Sequence, residues 1–189
     1  MRLIVSLLLA LLVAGGCDRQ KPAAPQAADP TQPVKGVDRS HKGGPAPDTV
    51  FKDPDGGTID LDEFRGVPVL VNLWASWCAP CVKELPTLDR LAASHEADGD
   101  LGVIAVSQDM APQSSVRAFL AKLKVERLGA YHDPDMGLTA AIPAPVLPTT
   151  VLYDSEGREV WRYVGDLDWT GEEAAGLLAE AEASPSGSR

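Results

Sequence analysis

The apolar and polar positions of this chain divide it into three stretches of different character. Residues 3–13 are apolar throughout except for Ser6. From residue 18 to about 44 large apolar side chains nearly vanish, while Pro22, Pro25, Pro30 and Pro33 recur. Regular patterning starts near Pro45. Residues 50–52 and 58–61 flank Asp53-Pro54-Asp55-Gly56-Gly57, whose Asp-Gly and Gly-Gly steps reach positive φ cheaply, so a hairpin is predicted. Residues 67–74 are almost continuously apolar, as a strand buried on both faces should be. In 80–95, Val82, Leu85, Leu88 and Leu91 recur at three-residue steps, which predicts a helix, and Pro86 is expected to kink it. A second buried strand over 101–106 precedes an amphipathic helix over 114–123, with Val116, Phe119, Leu120 and Leu123 facing inward. A short strand at 130–132 and a short helix at 136–141 come next. Strands 149–153 and 159–164 around Asp154-Ser155-Glu156-Gly157 form a second hairpin, and 172–183 a closing helix. This order predicts an α/β domain: a mixed central sheet flanked by helices on both faces, with an extra N-terminal β-hairpin.

The first apolar run is too short to span a bilayer, which needs roughly 20 residues, and Arg2 precedes it, so residues 1–16 read as a signal peptide. Ala14-Gly15-Gly16 directly before Cys17 resembles the lipobox of bacterial lipoproteins, although Ala14 stands where Leu is usual. Lipidation at Cys17 would explain the odd cysteine in a chain that has three, and ordinary cleavage near Gly16 is the alternative. Residues 17–44 cannot bury enough surface to offset their ordering entropy and read as a tether, with an upper reach of about 80 Å. The folded domain is then 45–185, and the expected location is the periplasm, tethered to the cell membrane. Asp and Glu number 27 against 17 Lys and Arg; the net charge of −10 argues against nucleic-acid binding.

The chemistry lies in Trp77-Cys78-Ala79-Pro80-Cys81, where the buried strand gives way to a helix. Free N–H groups and the positive dipole end of a first helical turn stabilise an anion, so Cys78 is expected to be thiolate-biased and Cys81, one turn on, more buried. Cys78 would attack a substrate disulfide and Cys81 would resolve the mixed disulfide, with the reverse sequence oxidising dithiols. Pro80 fits the first turn, where its missing N–H costs nothing. Half of a zinc site is the competing structural reading, but there is no second cysteine pair, and His41, His95 and His132 are scattered.

Asn72-Leu73-Trp74-Ala75-Ser76-Trp77-Cys78-Ala79-Pro80-Cys81 followed by Glu84-Leu85-Pro86 resembles the active-site stretch of the membrane-anchored thioredoxin-like proteins of the TlpA and ResA type. Asp62-Glu63-Phe64-Arg65-Gly66 and Leu147-Pro148-Thr149-Thr150 extend the likeness, which covers roughly 45–183. It implies a thioredoxin-like fold and a thiol:disulfide oxidoreductase. Pro148 matches the family's cis proline beside the cysteines. Glu84 matches a carboxylate kept near the pair, where a partly buried acid could relay protons and raise the cysteine pKa values; a solvated surface glutamate is the alternative. Asn72 takes the place of the buried Asp of ordinary thioredoxins, which leaves acid–base work to Glu84. Trp77, Ala79, Pro80 and Pro148 are the groove and support residues, Trp77 as a surface shield over the disulfide. The Pro-rich approach Ile142-Pro143-Ala144-Pro145-Val146-Leu147 departs from the family pattern and bears on partner choice.

The implied partners are disulfide-bearing or dithiol proteins of the cell envelope, the haem-binding cysteines of apocytochromes c among them, an unidentified electron donor, and the membrane through Cys17. The site needs no cofactor and no resident metal. A Cu(I)-binding metallochaperone, using Cys78 and Cys81 with His132, Met110 or Met136, is the alternative. A thiol peroxidase lacks its usual neighbours around Cys78. The direction of electron flow is not written in the sequence.

Overall fold

The computed structural model describes residues 35–144 and 146–182. Cys17, the signal-peptide segment and the first part of the tether lie outside the described residues. The strands are β1 (Gly36–Asp38), β2 (Phe51–Lys52), β3 (Thr58–Ile59), β4 (Val69–Trp74), β5 (Gly102–Ser107), β6 (Tyr131–His132), β7 (Thr149–Tyr153) and β8 (Glu159–Val164). The helices are α1 (Ala79–His95), α2 (Gln113–Lys122), α3 (Gly137–Ala141) and α4 (Glu172–Glu182). All the described strands join one mixed sheet in the order β1-β8-β7-β4-β5-β6-β2-β3.

β4 lies at the centre, parallel to β5 and antiparallel to β7. All six of its residues are buried, which explains why its sequence is apolar without alternation. Its side chains nevertheless sort by parity. Leu70 and Trp74 join one core with Leu85, Leu88 and Leu91 of α1, Val116 and Leu120 of α2 and Leu177 of α4. Val69, Val71 and Leu73 join the other with Phe51, Leu61, and Leu138 of α3. Both faces are covered as predicted, though the second only by α3, the β2–β3 hairpin and a short 3-10 turn at Leu61–Phe64.

The folded unit starts ahead of Pro45, inside the stretch read as tether. β1 pairs antiparallel with β8, Gly43 N–H donates to the Glu159 carbonyl (2.7 Å) and Ala46 N–H to that of Gly157 (2.8 Å). Gly36-Val37-Asp38 carries a single apolar side chain, and Val37 is 38% exposed, so backbone pairing rather than burial holds this strand. A hydrophobic pattern has nothing to register there. Because β1, β8, β7 and β4 alternate in direction, Gly36 and Val164 fall at the same end of the sheet as Trp74. The chain therefore enters the domain at the end that carries the cysteines.

Candidate active site

The turn between β4 and α1 places the two cysteines. Cys78 N–H donates to the Ala75 carbonyl at 3.1 Å, and Cys78 is the N-cap of α1, its Sγ accepting from the Cys81 N–H at 3.3 Å. Cys78 and Cys81 are joined as a disulfide. Cys78 is 6% exposed and Cys81 fully buried, so of the two only Cys78 reaches solvent. Opening the bridge leaves Cys78 at the helix terminus, where backbone N–H groups and the dipole stabilise its thiolate. Trp77 is 69% exposed; Ala79 and Pro80 are also on the surface.

Glu84 is 2% exposed, which rules out the solvated surface reading. It sits one helical turn after Cys81, and its carboxylate is enclosed by donors. Oε1 accepts from Asn72 Nδ2 at 2.7 Å; Oε2 accepts from the Leu167 N–H at 3.1 Å and from Trp169 Nε1 at 3.2 Å. Burial outweighs these bonds and pushes the carboxyl up to about 7. Asn72 also donates to Thr150 Oγ1 at 2.9 Å, while its Oδ1 is without a hydrogen-bond partner.

The Leu147–Pro148 bond is cis, and Pro148 is buried at the start of β7. Its carbonyl accepts from the Gly165 N–H at 2.9 Å. Gly165 has φ +98, and a Cβ there would come within 2.9 Å of the Lys35 side chain, so the close approach needs glycine. The next residues complete the cage. Asp166 takes Lys35 (2.7 Å) and Lys83 (3.2 Å), and these cations hold its carboxyl below the usual range. Trp169 is braced by stacking on Trp161 (centroids 6.5 Å) and edge-on by Tyr163 (6.3 Å).

Sequence reasoning found the cysteines, Glu84, Asn72 and Pro148, and the fold brings their elements together. It missed segment 165–169 and Thr150. Trp169, a lone aromatic in the polar run after the last hairpin, was the available signal. A second missed group ties the turns after β4 and β5. Asp109 accepts from the Ser76 N–H (3.0 Å), the Ser76 hydroxyl (2.8 Å) and the Ser107 hydroxyl (2.7 Å). Of the residues named for copper, His132 is buried with Nε2 on the Asp109 carbonyl at 2.7 Å, whereas Met110 is 86% exposed. Among the described residues no three His, Cys, Asp or Glu side chains gather as a metal-binding group. Cys17 lies outside the described residues.

A disulfide at the N-terminus of a helix that follows a central strand, with a cis proline in register with the end of that strand, defines a thioredoxin-like thiol:disulfide oxidoreductase. The Redoxin family profile matches residues 41–178, and the chain belongs to that family. It is 30% identical over 136 residues to the thiol-disulfide oxidoreductase ResA of Bacillus anthracis, covering 70% of this chain and 74% of that protein. A Chlorobium tepidum structure provisionally described as the thiol:disulfide interchange protein DsbE superposes with a TM-score of 0.65 at 27% identity, over 74% of this chain and 96% of that one. The exposed lipoprotein thioredoxin Etrx1 of Streptococcus pneumoniae superposes with a TM-score of 0.58 at 27% identity, over 72% and 99%. The substrates of this chain are accordingly disulfide- or dithiol-bearing molecules.

Proposed function

We propose that the protein works outside the cytoplasm as a reductant of disulfides in cell-envelope proteins, the haem-binding cysteines of apocytochromes c among them, and that a lipid on Cys17 holds it at the membrane. The observation that carries this reading is a buried acid, titrating near neutrality, one turn from the resolving cysteine. The Cys78 thiolate attacks one sulfur of the substrate disulfide; the S–S bond breaks, a mixed disulfide forms, and the first substrate thiolate leaves. Ionised Glu84 then takes the proton of the Cys81 thiol, and the Cys81 sulfur attacks Cys78 Sγ. The second substrate thiolate leaves and is protonated, and the Cys78–Cys81 bridge holds the two electrons' worth of oxidation. A dithiol donor reopens the bridge by the same steps in reverse. An ionised Glu84 also disfavours a second anion beside it, so the thiols and the acid titrate as a coupled set.

Two further points support the anchored reading. The sequence before Cys17 has the form of a lipoprotein signal, and a structural neighbour is itself described as an exposed lipoprotein. Seventeen residues separate Cys17 from Lys35, which bounds their span at about 60 Å.

The equilibrium potential of the Cys78/Cys81 couple tests the direction. A value near −270 mV, that of a thioredoxin, is expected; one near −120 mV would make the protein an oxidant and overturn the assignment. Cys17→Ala should move the protein from the membrane fraction to the soluble fraction, and retention would remove the anchor.

A further inference from the structure

A surface cavity beside the cysteines takes no part in the chemistry above. It encloses about 140 Å3 and is lined by Ser76, Asp109, Ala111, Ser115, Val116 and Phe119. Its wall is thus shared by the turn after β4, the turn after β5 and α2. Ser76 stands two residues ahead of Cys78, and two residues of chain span at most about 7 Å, so the cavity begins within a side chain's reach of the reactive sulfur.

The cavity is built rather than incidental. Asp109 ties Ser76 to the turn after β5 through both carboxylate oxygens, and its own carbonyl is held by His132. Phe119 is braced on Trp74, with centroids 5.9 Å apart. Because the Asp109 carboxylate is already bonded to Ser76 and Ser107, the charge in the lining is satisfied, and Val116 and Phe119 make the rest of the wall apolar. Trp77 and Met110, which follow the tied residues Ser76 and Asp109 directly, stand in solvent as large apolar side chains. Single exposed apolar residues are ordinary. Two on tied turns, next to an apolar cavity at a site of covalent substrate capture, form a surface.

We infer that this cavity is a side-chain subsite for a polypeptide substrate: it receives an apolar residue of leucine, methionine or phenylalanine size, one or two positions from the substrate's reactive cysteine, while Trp77 and Met110 lie along the flanking backbone. The inference rests on the exchange reading and specifies its substrate class. The occupant is a polypeptide because a substrate held covalently on Cys78 lies two residues along the chain from Ser76 in the cavity wall, so a side chain flanking its reactive cysteine is the group in reach. The size agrees, since apolar cavities of about 150 Å3 accept benzene. Specificity then comes from α2 and the turns it meets, outside the atoms that exchange electrons.

The test is single-turnover oxidation of the reduced protein, followed by tryptophan fluorescence, with three probes. These are bis(2-hydroxyethyl) disulfide and two disulfide-linked peptides with Leu or Ser two positions after cysteine. The Leu peptide is expected to react about tenfold faster than the Ser peptide, the discrimination that one apolar side chain supplies. Ser115→Phe, made at an exposed position of α2, should fill the cavity and bring the two peptides within about twofold, the scale of losing that contact, with the small disulfide unchanged. Met110→Ala, which disturbs no buried contact, should lower the preference in part. Equal rates for both peptides with the unaltered protein, or a preference that survives Ser115→Phe, would overturn the subsite and leave the exchange reading standing. Failure of all three probes to oxidise the protein would overturn both.

Discussion

Asn72 Nδ2 meets Glu84 Oε1 at 2.7 Å inside the protein, a side chain of the central strand facing one of the active-site helix, both withdrawn from solvent. This contact joins the two elements whose junction carries Cys78. Its consequence is a carboxyl that titrates near 7 in the fold against 4.5 in an ordinary glutamate. Between those pH values the folded protein holds a proton that the unfolded chain has lost. The stabilisation is therefore full below about pH 4.5 and is lost as pH rises through about 7, by about 3 kcal/mol in total. Denaturant unfolding of the disulfide form across that range should show the decline, and Glu84→Gln should lack it, so that the difference between the two proteins falls as pH rises. A difference that does not vary with pH would place the carboxyl back in the ordinary range.

Asn72 Oδ1 and Trp74 Nε1 are the buried side-chain atoms without a hydrogen-bond partner among the described residues. For Asn72 a half-turn of the amide exchanges Oδ1 with Nδ2. In that orientation the oxygen accepts from a protonated Glu84 and from the Thr150 hydroxyl, so the amide can serve both states of the acid. Asn72→Ala removes the donor to the carboxylate. The Glu84 midpoint, read by carboxyl 13C shifts, should rise above that of the unaltered protein, and stability at pH 8 should fall by about 1–3 kcal/mol. An unmoved midpoint would show that the contact does not tune the acid.

Asp109→Ala leaves the Ser76 N–H and two hydroxyls without their acceptor. A loss of about 1–3 kcal/mol is expected, together with faster amide exchange at Ser76 while the centre of β4 stays protected. Unchanged exchange at Ser76 would mean that the turn before Cys78 is held by something else.

Arg162 and Glu159 form a buried bidentate pair, both bonds 2.7 Å, and Arg162 also donates to the Pro143 carbonyl at 3.2 Å in the approach to Pro148. Arg162→Met strands a buried carboxylate and should cost about 3–5 kcal/mol. Combining it with Glu159→Leu should restore most of that loss. If the double variant is as unstable as the single one, the stability lies in the contact to Pro143 rather than in the pairing.

How far the sequence speaks for the structure differs from part to part. The buried strands and long helices announce themselves because burial is written in side-chain chemistry: β4 and the Leu85-Leu88-Leu91 face of α1 lie where the apolar periodicity puts them. The cysteine pair was legible because its spacing coincides with a strand-to-helix junction. β1 was not, since its partner strand holds it through backbone atoms, which every residue possesses. Glu84 illustrates the other limit. A glutamate in the second turn of a helix reads as solvated until the segment that covers it is known. That cover, Leu167 and Trp169, arrives some eighty residues later from a loop with no pattern of its own. The tie of Ser76 to Asp109 is of the same kind, a contact between turns that only the sheet brings side by side.

Exchange depends on Cys78 as the attacking sulfur and Cys81 as the one that releases the product. Mixing each reduced single-cysteine variant with a disulfide-linked peptide and reading the adduct by intact mass tests this directly. Cys81→Ser should accumulate a stable mixed disulfide on Cys78 approaching one per molecule, while Cys78→Ser should form almost none. Equal or greater trapping by Cys78→Ser would contradict the account.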